Sequence, residues 1–171
     1  LYFIGIGGIG MSGLARYARQ LGLDVAGYDK TQTALTAQLE EEGISIGFDS
    51  DTRHFNQWFD PEKNKATGVV RTPAVPGAHP VFERITTLQL TVLKRSEMLG
   101  LIAQNFETFA VAGTHGKTTT TAMLTHLLAD TPGGCNAFLG GIMVSTGSNV
   151  VLNKASKRLV VEADEFDRSF L

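Results

Sequence analysis

Short apolar runs alternate along this chain with segments in which apolar residues recur every three or four positions. Residues 1–4 (LYFI) form the first run, and Leu14, Tyr17, Ala18 and Leu21 follow it at helical spacing. This pattern predicts a buried strand followed by a helix that covers it. Its repetition predicts an α/β fold with a mainly parallel sheet, which binds ligands at the carboxyl ends of its strands.

The alternation continues through the middle of the chain. Further strands are predicted at residues 24–29, 44–46, 68–70, 110–112 and 159–161, and helices at 33–42, 96–104 and 117–128. Residues 54–65 are polar and aromatic, and we expect this segment, with His54 and Trp58, at the surface. The chain begins in one strand and ends just after another, so we expect it to lack its native beginning and its continuation.

A second strand, loop and helix unit begins after the helix at 96–104, which predicts two domains. Residues 1–94 are expected to form a Rossmann-like parallel-sheet domain. Residues 95–171 are expected to form the first part of a P-loop NTPase-type α/β domain, whose remainder is absent.

Composition limits the classes of function. The chain has 171 residues, 43% of them apolar, and a net charge of −2, which suits a globular protein and gives no electrostatic reason to bind nucleic acid. A single cysteine, Cys135, excludes an internal disulfide framework. No run approaches the roughly 20 apolar residues of a membrane span, and no basic leader precedes the first strand. We therefore expect a cytoplasmic protein without a membrane partner; oligomeric state is not predicted.

Residues 110–121 (AVAGTHGKTTTT) join an apolar strand to a helix through a glycine turn and a lysine. In such a loop the first helical amides face an anion, Lys117 neutralises phosphate charge and the Thr118 hydroxyl binds Mg²⁺. The general P-loop has a further glycine where Val111 stands, so this loop is a shorter GxxGKT form. The pattern predicts a nucleoside triphosphate site; glycines that serve only the turn are the alternative.

A second glycine pattern follows the first strand. Residues 5–10 (GIGGIG) fit G-x-G-x-x-G, and Asp29 ends the next predicted strand, 19 residues beyond Gly10. The loop suits a diphosphate, and the acid could accept a hydrogen bond from a ribose hydroxyl. Dinucleotides and UDP-sugars both have these parts, so the pattern indicates the ligand class without choosing between them. Glycines needed only for helix–strand packing are the alternative.

Two further segments follow strand ends. Residues 71–80 contain three prolines in eight positions, which predicts a shaped loop that either lines the first ligand site or only connects two elements. The strand at 159–161 is followed by four acids: Glu162, Asp164, Glu165 and Asp167. Glu162, 44 residues after Thr118, is the candidate Mg²⁺ ligand, with Asp164 and Glu165 as substitutes and a solvated acidic turn as the alternative.

Residues 3–13, 113–120 and 162–171, in this order, resemble the Mur ligases of peptidoglycan synthesis, and in detail those members that join L-alanine to UDP-N-acetylmuramate. The resemblance covers the whole chain. It implies a three-domain, ATP- and Mg²⁺-dependent ligase that acts through an acyl phosphate. This chain would be its UDP-sugar domain and the opening of its ATPase domain, and we expect it to be inactive alone.

The resemblance also assigns residues. It implies UDP-sugar binding by Gly5, Gly7, Gly8, Gly10, Asp29, Thr72, Pro73, Ala74 and His79. It implies ATP binding by Gly113, Thr114, His115, Gly116, Lys117, Thr118 and Thr119, with Lys117 catalytic and Thr118 and Glu162 as metal ligands. By this reading the first loop binds UDP-N-acetylmuramate and not NAD.

Three alternatives remain. A ligase that recycles murein peptides has the same second loop, but it usually replaces the later glycines of the first loop and favours tyrosine where Phe166 stands. A nicotinamide dehydrogenase would leave the second phosphate loop unexplained. A nucleotide-binding or regulatory module also describes a chain that lacks the rest of the enzyme.

Overall fold

The computed structural model describes residues 1–49, 51–62 and 67–163. The chain divides into two compact units, Leu1–Arg95 and Ser96–Leu171, and each is described by itself below. Within the described residues, no helix is long and apolar enough to cross a membrane.

The first unit is a five-stranded, wholly parallel sheet with the strand order β3-β2-β1-β4-β5. Its strands are β1 (Tyr2–Ile4), β2 (Ala26–Tyr28), β3 (Ser45–Gly47), β4 (Gly68–Arg71) and β5 (Thr91–Lys94), and its helices are α1 (Ile9–Gln20), α2 (Ala34–Glu41), α3 (Arg53–Trp58) and α4 (Pro80–Thr87). The order 3-2-1-4-5 places β1 at the centre, where the strand order reverses and ligands bind in folds of this type. The prediction of an α/β fold that begins with a Rossmann-like parallel sheet is confirmed.

The core of this unit forms on both sides of β1. Tyr2 and Ile4 are fully buried with Phe55 and Ile85 on one side, while α1 buries Met11 among other residues on its inner face. Burial of this kind contributes roughly 1.5–3 kcal/mol for each large apolar side chain. The central strand is therefore held in place by helices on both faces.

One expectation for the first unit was wrong, and one strand was not predicted. Residues 54–58 lie in α3, and this helix buries Phe55 against the sheet instead of running along the surface. Residues 92–94, at the end of the predicted first domain, belong to β5 and pair with β4. The division between the units falls one residue later than the predicted boundary, after Arg95.

The second unit contains a four-stranded sheet with the order β6-β9-β7-β8. Its elements are β6 (Glu107–Val111), α6 (Lys117–Ala129), β7 (Asn136–Met143), β8 (Ser148–Val151) and β9 (Arg158–Glu162); α5 (Arg95–Ala103) precedes them. β6, β9 and β7 are parallel, and β8 joins β7 as an antiparallel edge. The β7–β8 hairpin was not predicted from the sequence.

Candidate functional site

The first glycine loop leaves β1 through a turn that requires glycine at position 5. Gly5 has φ +83°, and the amides of Gly5 and Ile6 both donate to the carbonyl oxygen of Tyr28, at 2.7 and 3.0 Å. A Cβ at position 5 would lie 2.4 Å from Cγ2 of Thr72. The turn is therefore fixed to the end of β2 and packed against the loop that follows β4.

The loop delivers the chain to the start of α1. Gly8 is the extended N-cap residue of this helix and supplies no side-chain cap, whereas α2 begins with a capping box formed by Thr33 and Thr36. At Gly10, a Cβ would come within 3.0 Å of Cδ and 3.2 Å of Nη1 of Arg95, so the Arg95 side chain lies over the first turn of α1. Helix amides without a side-chain cap, beside a guanidinium, suit a bound anion.

Asp29 stands one residue beyond β2 and turns back toward the glycine loop. Its Oδ2 accepts a 2.7 Å hydrogen bond from the amide of Gly7, and its Oδ1 accepts one of 3.1 Å from the amide of Thr31. The structure thus brings Asp29 to the predicted loop, with its carboxylate bonded to backbone amides.

A cavity of about 530 Å³ is formed by residues at and just beyond the ends of β2, β3 and β4. It is lined by Tyr28, Lys30, Phe48, Asp49, Ala74, Val75, Pro76 and His79. Two of the predicted binding residues, Ala74 and His79, are in its wall; Thr72 and Pro73 precede it on the same loop, where Thr72 accepts a hydrogen bond from the amide of Ala74. An aromatic and aliphatic lining with a few polar groups suits a flat, partly polar ligand such as a nucleoside base.

His79 has one ring nitrogen engaged and one unsatisfied. Its Nδ1 accepts from the amide of Val81 at the start of α4, and its ring lies 4.4 Å, centroid to centroid, from that of Tyr28. Burial lowers the pKa of His79 and favours the neutral ring. Because Nδ1 accepts, the proton resides on Nε2, which is buried and has no partner in the described part of the chain. Nε2 is therefore a buried donor that lacks a partner among the described residues.

The second loop joins β6 to α6. Gly113 has φ +149°, and Gly116, the N-cap residue of α6, is left-handed at φ +75°. The ammonium group of Lys117 folds back and donates to the carbonyl oxygen of Gly113 at 2.6 Å. Thr114, His115 and Thr119 are exposed on the loop and on the first turn of the helix. The ammonium group of Lys117 therefore lies over the loop at the start of α6, where helix amides favour an anion.

Thr118 and Glu162, the two predicted metal ligands, lie next to each other. β9 is the neighbour of β6 in the sheet, and the parallel register places Glu162 opposite Val111 at the end of β6. The Thr118 hydroxyl donates to Oε2 of Glu162 at 3.2 Å. A hydroxyl and a carboxylate are hard oxygen ligands of the kind that Mg²⁺ takes, so this pair fits the ion.

Gly140 on β7 is a contributor that the sequence analysis missed. Its amide donates to Oε1 of Glu162 at 2.7 Å, and a Cβ there would lie 2.6 Å from Oε2. A Cβ at Gly141 would come within 3.2 Å of Cγ2 of Thr118. Two adjacent glycines inside an apolar strand were the available signal, since such glycines mark a close approach of other groups to the backbone.

No group of three or more His, Cys, Asp or Glu side chains that could hold a metal occurs within residues 1–49, 51–62 and 67–163. Asp164 and Glu165, the substitute ligands, and Asp167 and Phe166 lie outside the described residues. Thr118 and Glu162 therefore remain the predicted metal pair.

Residues 1–107 match the family described as Mur ligase family, catalytic domain. Among curated proteins, the chain is 49% identical over 170 residues to the UDP-N-acetylmuramate–L-alanine ligase of Christiangramia forsetii, and 47% identical over 171 residues to that of Porphyromonas gingivalis. Each alignment covers 99% of this chain and 37% of the relative. The chain thus spans a little over a third of the length of these relatives.

Solved structures similar to this chain are also ligases named for UDP-N-acetylmuramate. The UDP-N-acetylmuramate-alanine ligase MurC of Thermotoga maritima superposes with a TM-score of 0.80 at 36% identity, covering 94% of this chain and 36% of that one. The UDP-N-acetylmuramate:L-alanyl-gamma-D-glutamyl-meso-diaminopimelate ligase of Neisseria meningitides superposes with a TM-score of 0.79 at 31% identity, covering 97% and 52%.

Proposed function

Since this chain belongs to the Mur ligase family, we propose that it is the nucleotide-sugar-binding unit and the opening of the ATP-binding unit of a UDP-N-acetylmuramate–L-alanine ligase. Three relatives with this name are 46–49% identical to it over nearly its whole length. The whole protein would act in the cytoplasm on UDP-N-acetylmuramate, L-alanine and ATP, with Mg²⁺. Residues 1–94 would serve the UDP-sugar and residues 95–171 the ATP.

The observation that carries this proposal is the contact of Thr118 with Glu162 directly behind the Lys117 loop. Lys117 lies over the loop, and the Thr118 hydroxyl at the start of α6 is 3.2 Å from Oε2 of Glu162 at the end of β9. A cation beside two hard oxygen ligands is the arrangement that a Mg²⁺–nucleotide site needs. A dehydrogenase has no use for this second site. The ligase reading uses both loops.

The first unit supports the assignment of the UDP-sugar. The start of α1 and Arg95 would hold the diphosphate, and the cavity formed by the residues after β2, β3 and β4 would hold the nucleoside. NAD also presents a diphosphate, so only binding can separate the two ligands.

The reaction proposed for the whole protein is a phosphoryl transfer followed by an acyl transfer. The lactyl carboxylate attacks the γ-phosphorus of ATP, the bond to the ADP oxygen breaks, and an acyl phosphate forms. The amine of L-alanine attacks the acyl carbon, phosphate leaves, and the amine gives up a proton. Lys117 would stabilise the charge on the transferred group, and the metal held by Thr118 and Glu162 would neutralise phosphate charge.

Titration calorimetry of this chain with UDP-N-acetylmuramate and, separately, with NAD tests the first half of the proposal. Binding of the UDP-sugar and not of NAD is the expected result. Binding of NAD alone would return the first loop to its dinucleotide reading and overturn the proposal. In a protein of the relatives' length, ATP-dependent phosphate release with L-alanine, against release with a murein tripeptide, separates the alanine ligase from the recycling ligase.

A further inference from the structure

The carboxylate of Asp29 is bonded to backbone on both of its oxygens. Oδ2 accepts from the Gly7 amide at 2.7 Å and Oδ1 from the Thr31 amide at 3.1 Å. The loop is fitted closely around this carboxylate: a Cβ at Gly7 would lie 2.9 Å from Oδ2 and 2.7 Å from Cγ2 of Thr36. Glycine at position 7 therefore serves a contact with Asp29 as well as the path of the loop.

The direction of the Asp29 side chain also separates it from the nucleoside cavity. Tyr28 and Lys30, its neighbours in sequence, both line the cavity, whereas Asp29 is not among the lining residues. Beyond β2 the carboxylate thus points to the glycine loop, while the residues on each side face the cavity. A residue that binds the ribose would be expected to line the cavity in which the nucleoside binds.

The bond between Asp29 and Gly7 changes what the loop offers to a ligand. The Gly7 amide is used inside the protein, so a diphosphate must be bound by the first turn of α1 and by the guanidinium of Arg95. A charged acceptor on a loop amide forms one of the stronger hydrogen bonds in proteins. Its loss would free the loop that delivers the chain to α1.

We propose that Asp29 is a positioning residue, which holds the glycine loop in its diphosphate-binding shape through the Gly7 amide, and that it is not a ribose ligand. This inference rests on the proposed function, because it takes a uridine diphosphate group as the ligand of the first unit. It replaces the ribose contact that the position of Asp29 after a predicted strand suggested, and the UDP-sugar contact that the resemblance implied.

The test compares UDP, uridine and the 2′- and 3′-deoxy analogues of UDP, titrated by NMR into this chain as wild type, Asp29→Ala and Asp24→Ala. Asp24 is an exposed acid of the same unit that precedes β2, so its variant removes the same charge without touching the loop. We expect Asp29→Ala to weaken UDP about tenfold or more and to leave uridine within twofold. We expect the affinity lost by removing a ribose hydroxyl to be the same in wild type and variant.

If Asp29 instead binds the ribose, the opposite pattern of affinities is expected. Uridine and UDP would then weaken together, and the penalty for a deoxy analogue would disappear in Asp29→Ala, because the variant no longer has the partner of that hydroxyl. Either result would overturn the proposal. So would unchanged UDP binding by Asp29→Ala, or an equal loss in Asp24→Ala.

The exchange rate of the Gly7 amide proton, measured without ligand, separates failure of this inference from failure of the proposed function. It is expected to be slow in wild type and in Asp24→Ala, and fast in Asp29→Ala. If wild type binds no UDP, the proposed function fails for this chain, but the exchange rate of the Gly7 amide proton still tests whether Asp29 holds the loop. Fast exchange of that proton in wild type would overturn the positioning role of Asp29. Trp58 fluorescence reports whether Asp29→Ala folds. If it does not, Asp29→Leu takes its place, because leucine has a similar size and no acceptor for the Gly7 amide.

Discussion

The two glycine loops enter helices that are covered to very different extents. After the first loop, α1 buries Met11 and Leu14 in a closed layer. After the second, α6 turns two threonines inward and leaves Met123 and Leu127 63% and 67% exposed. The inner face of α1 is thus packed within this chain, whereas we expect the apolar side of α6 to be covered in a protein of the relatives' length.

The two units also use a carboxylate and a glycine amide in the same way, at 2.7 Å in each case, but to different ends. Asp29 accepts from an amide of its own phosphate loop and ties that loop down. Glu162 accepts from Gly140 on a neighbouring strand, which leaves its other oxygen directed at the Thr118 hydroxyl. The first carboxylate is bonded only to backbone amides, while the second also meets a hydroxyl and is the one proposed to hold a metal.

The largest effect should come from the second loop. Lys117→Ala, in a protein of the relatives' length, is expected to reduce ligation by on the order of 10²–10³-fold, because the transferred phosphoryl group loses its cation. UDP-sugar affinity should stay within twofold, since that ligand is assigned to the other unit. Steady-state kinetics measure the ligation rate and calorimetry measures the UDP-sugar affinity, with Lys154→Ala, a change at an exposed residue, as the control. A large loss of UDP-sugar affinity in Lys117→Ala would contradict the assignment of the two ligands to separate units.

Core substitutions test the contrast between the two helices directly. Leu14→Ala should destabilise the first unit by about 2–5 kcal/mol, because Leu14 is 1% exposed. Leu127→Ala should change the free energy of unfolding by no more than about 0.5 kcal/mol in this chain. Urea titrations followed by Trp58 fluorescence for the first unit and by circular dichroism for the second measure both. A loss above 2 kcal/mol in Leu127→Ala would show that α6 is already covered.

Gly140→Ala tests the carboxylate of the second unit. The added methyl group displaces the Glu162 side chain, so the Mg²⁺ concentration needed for half-maximal ATP binding should rise about tenfold, the cost of losing one charge-assisted bond. Gly100→Ala, where a Cβ meets no atom within 4 Å, is the matched control.

In Glu162→Ala the same methyl group at position 140 should have no further effect, because Gly140 acts through that carboxylate. An additive loss in the double variant would assign Gly140 another role. An unchanged Mg²⁺ titration in Glu162→Ala itself would move the metal ligand to Asp164 or Glu165.

The sequence was informative where short local patterns decide the structure. Apolar runs and glycine turns located both glycine loops between their strands and helices, and the parallel alternation predicted the Rossmann-like sheet. α3 was missed because six residues are too few to show helical periodicity, and Phe55 only acquires its role by packing on distant strands. Likewise β5 was not predicted, because it becomes a strand by pairing with β4. The adjacent glycines 140 and 141 indicate a close approach, but they do not show that Glu162 makes it.

The smallest effect should be a pH dependence confined to the first unit. His54 lies between buried Tyr2 and the strand β3, with Nδ1 3.1 Å from the Tyr2 hydroxyl and Nε2 2.9 Å from that of Ser45. Burial lowers the pKa of His54, and that of His79, below the usual histidine value of about 6.5. As the pH falls through about 6.5, the two histidines become protonated in the unfolded chain but stay neutral in the folded unit. The free energy of unfolding therefore falls as the solution is acidified from about pH 7.

Each histidine can add a slope of at most about 1.4 kcal/mol per pH unit, down to its folded pKa. Urea titrations at several pH values, followed by Trp58 fluorescence, measure the slope. His54→Gln should flatten it, and His126→Gln, an exposed change in the second unit, should leave it unchanged. A slope equal in wild type and His54→Gln would mean that His54 does not contribute, and that the acid sensitivity of this unit comes from His79 or from the carboxylates.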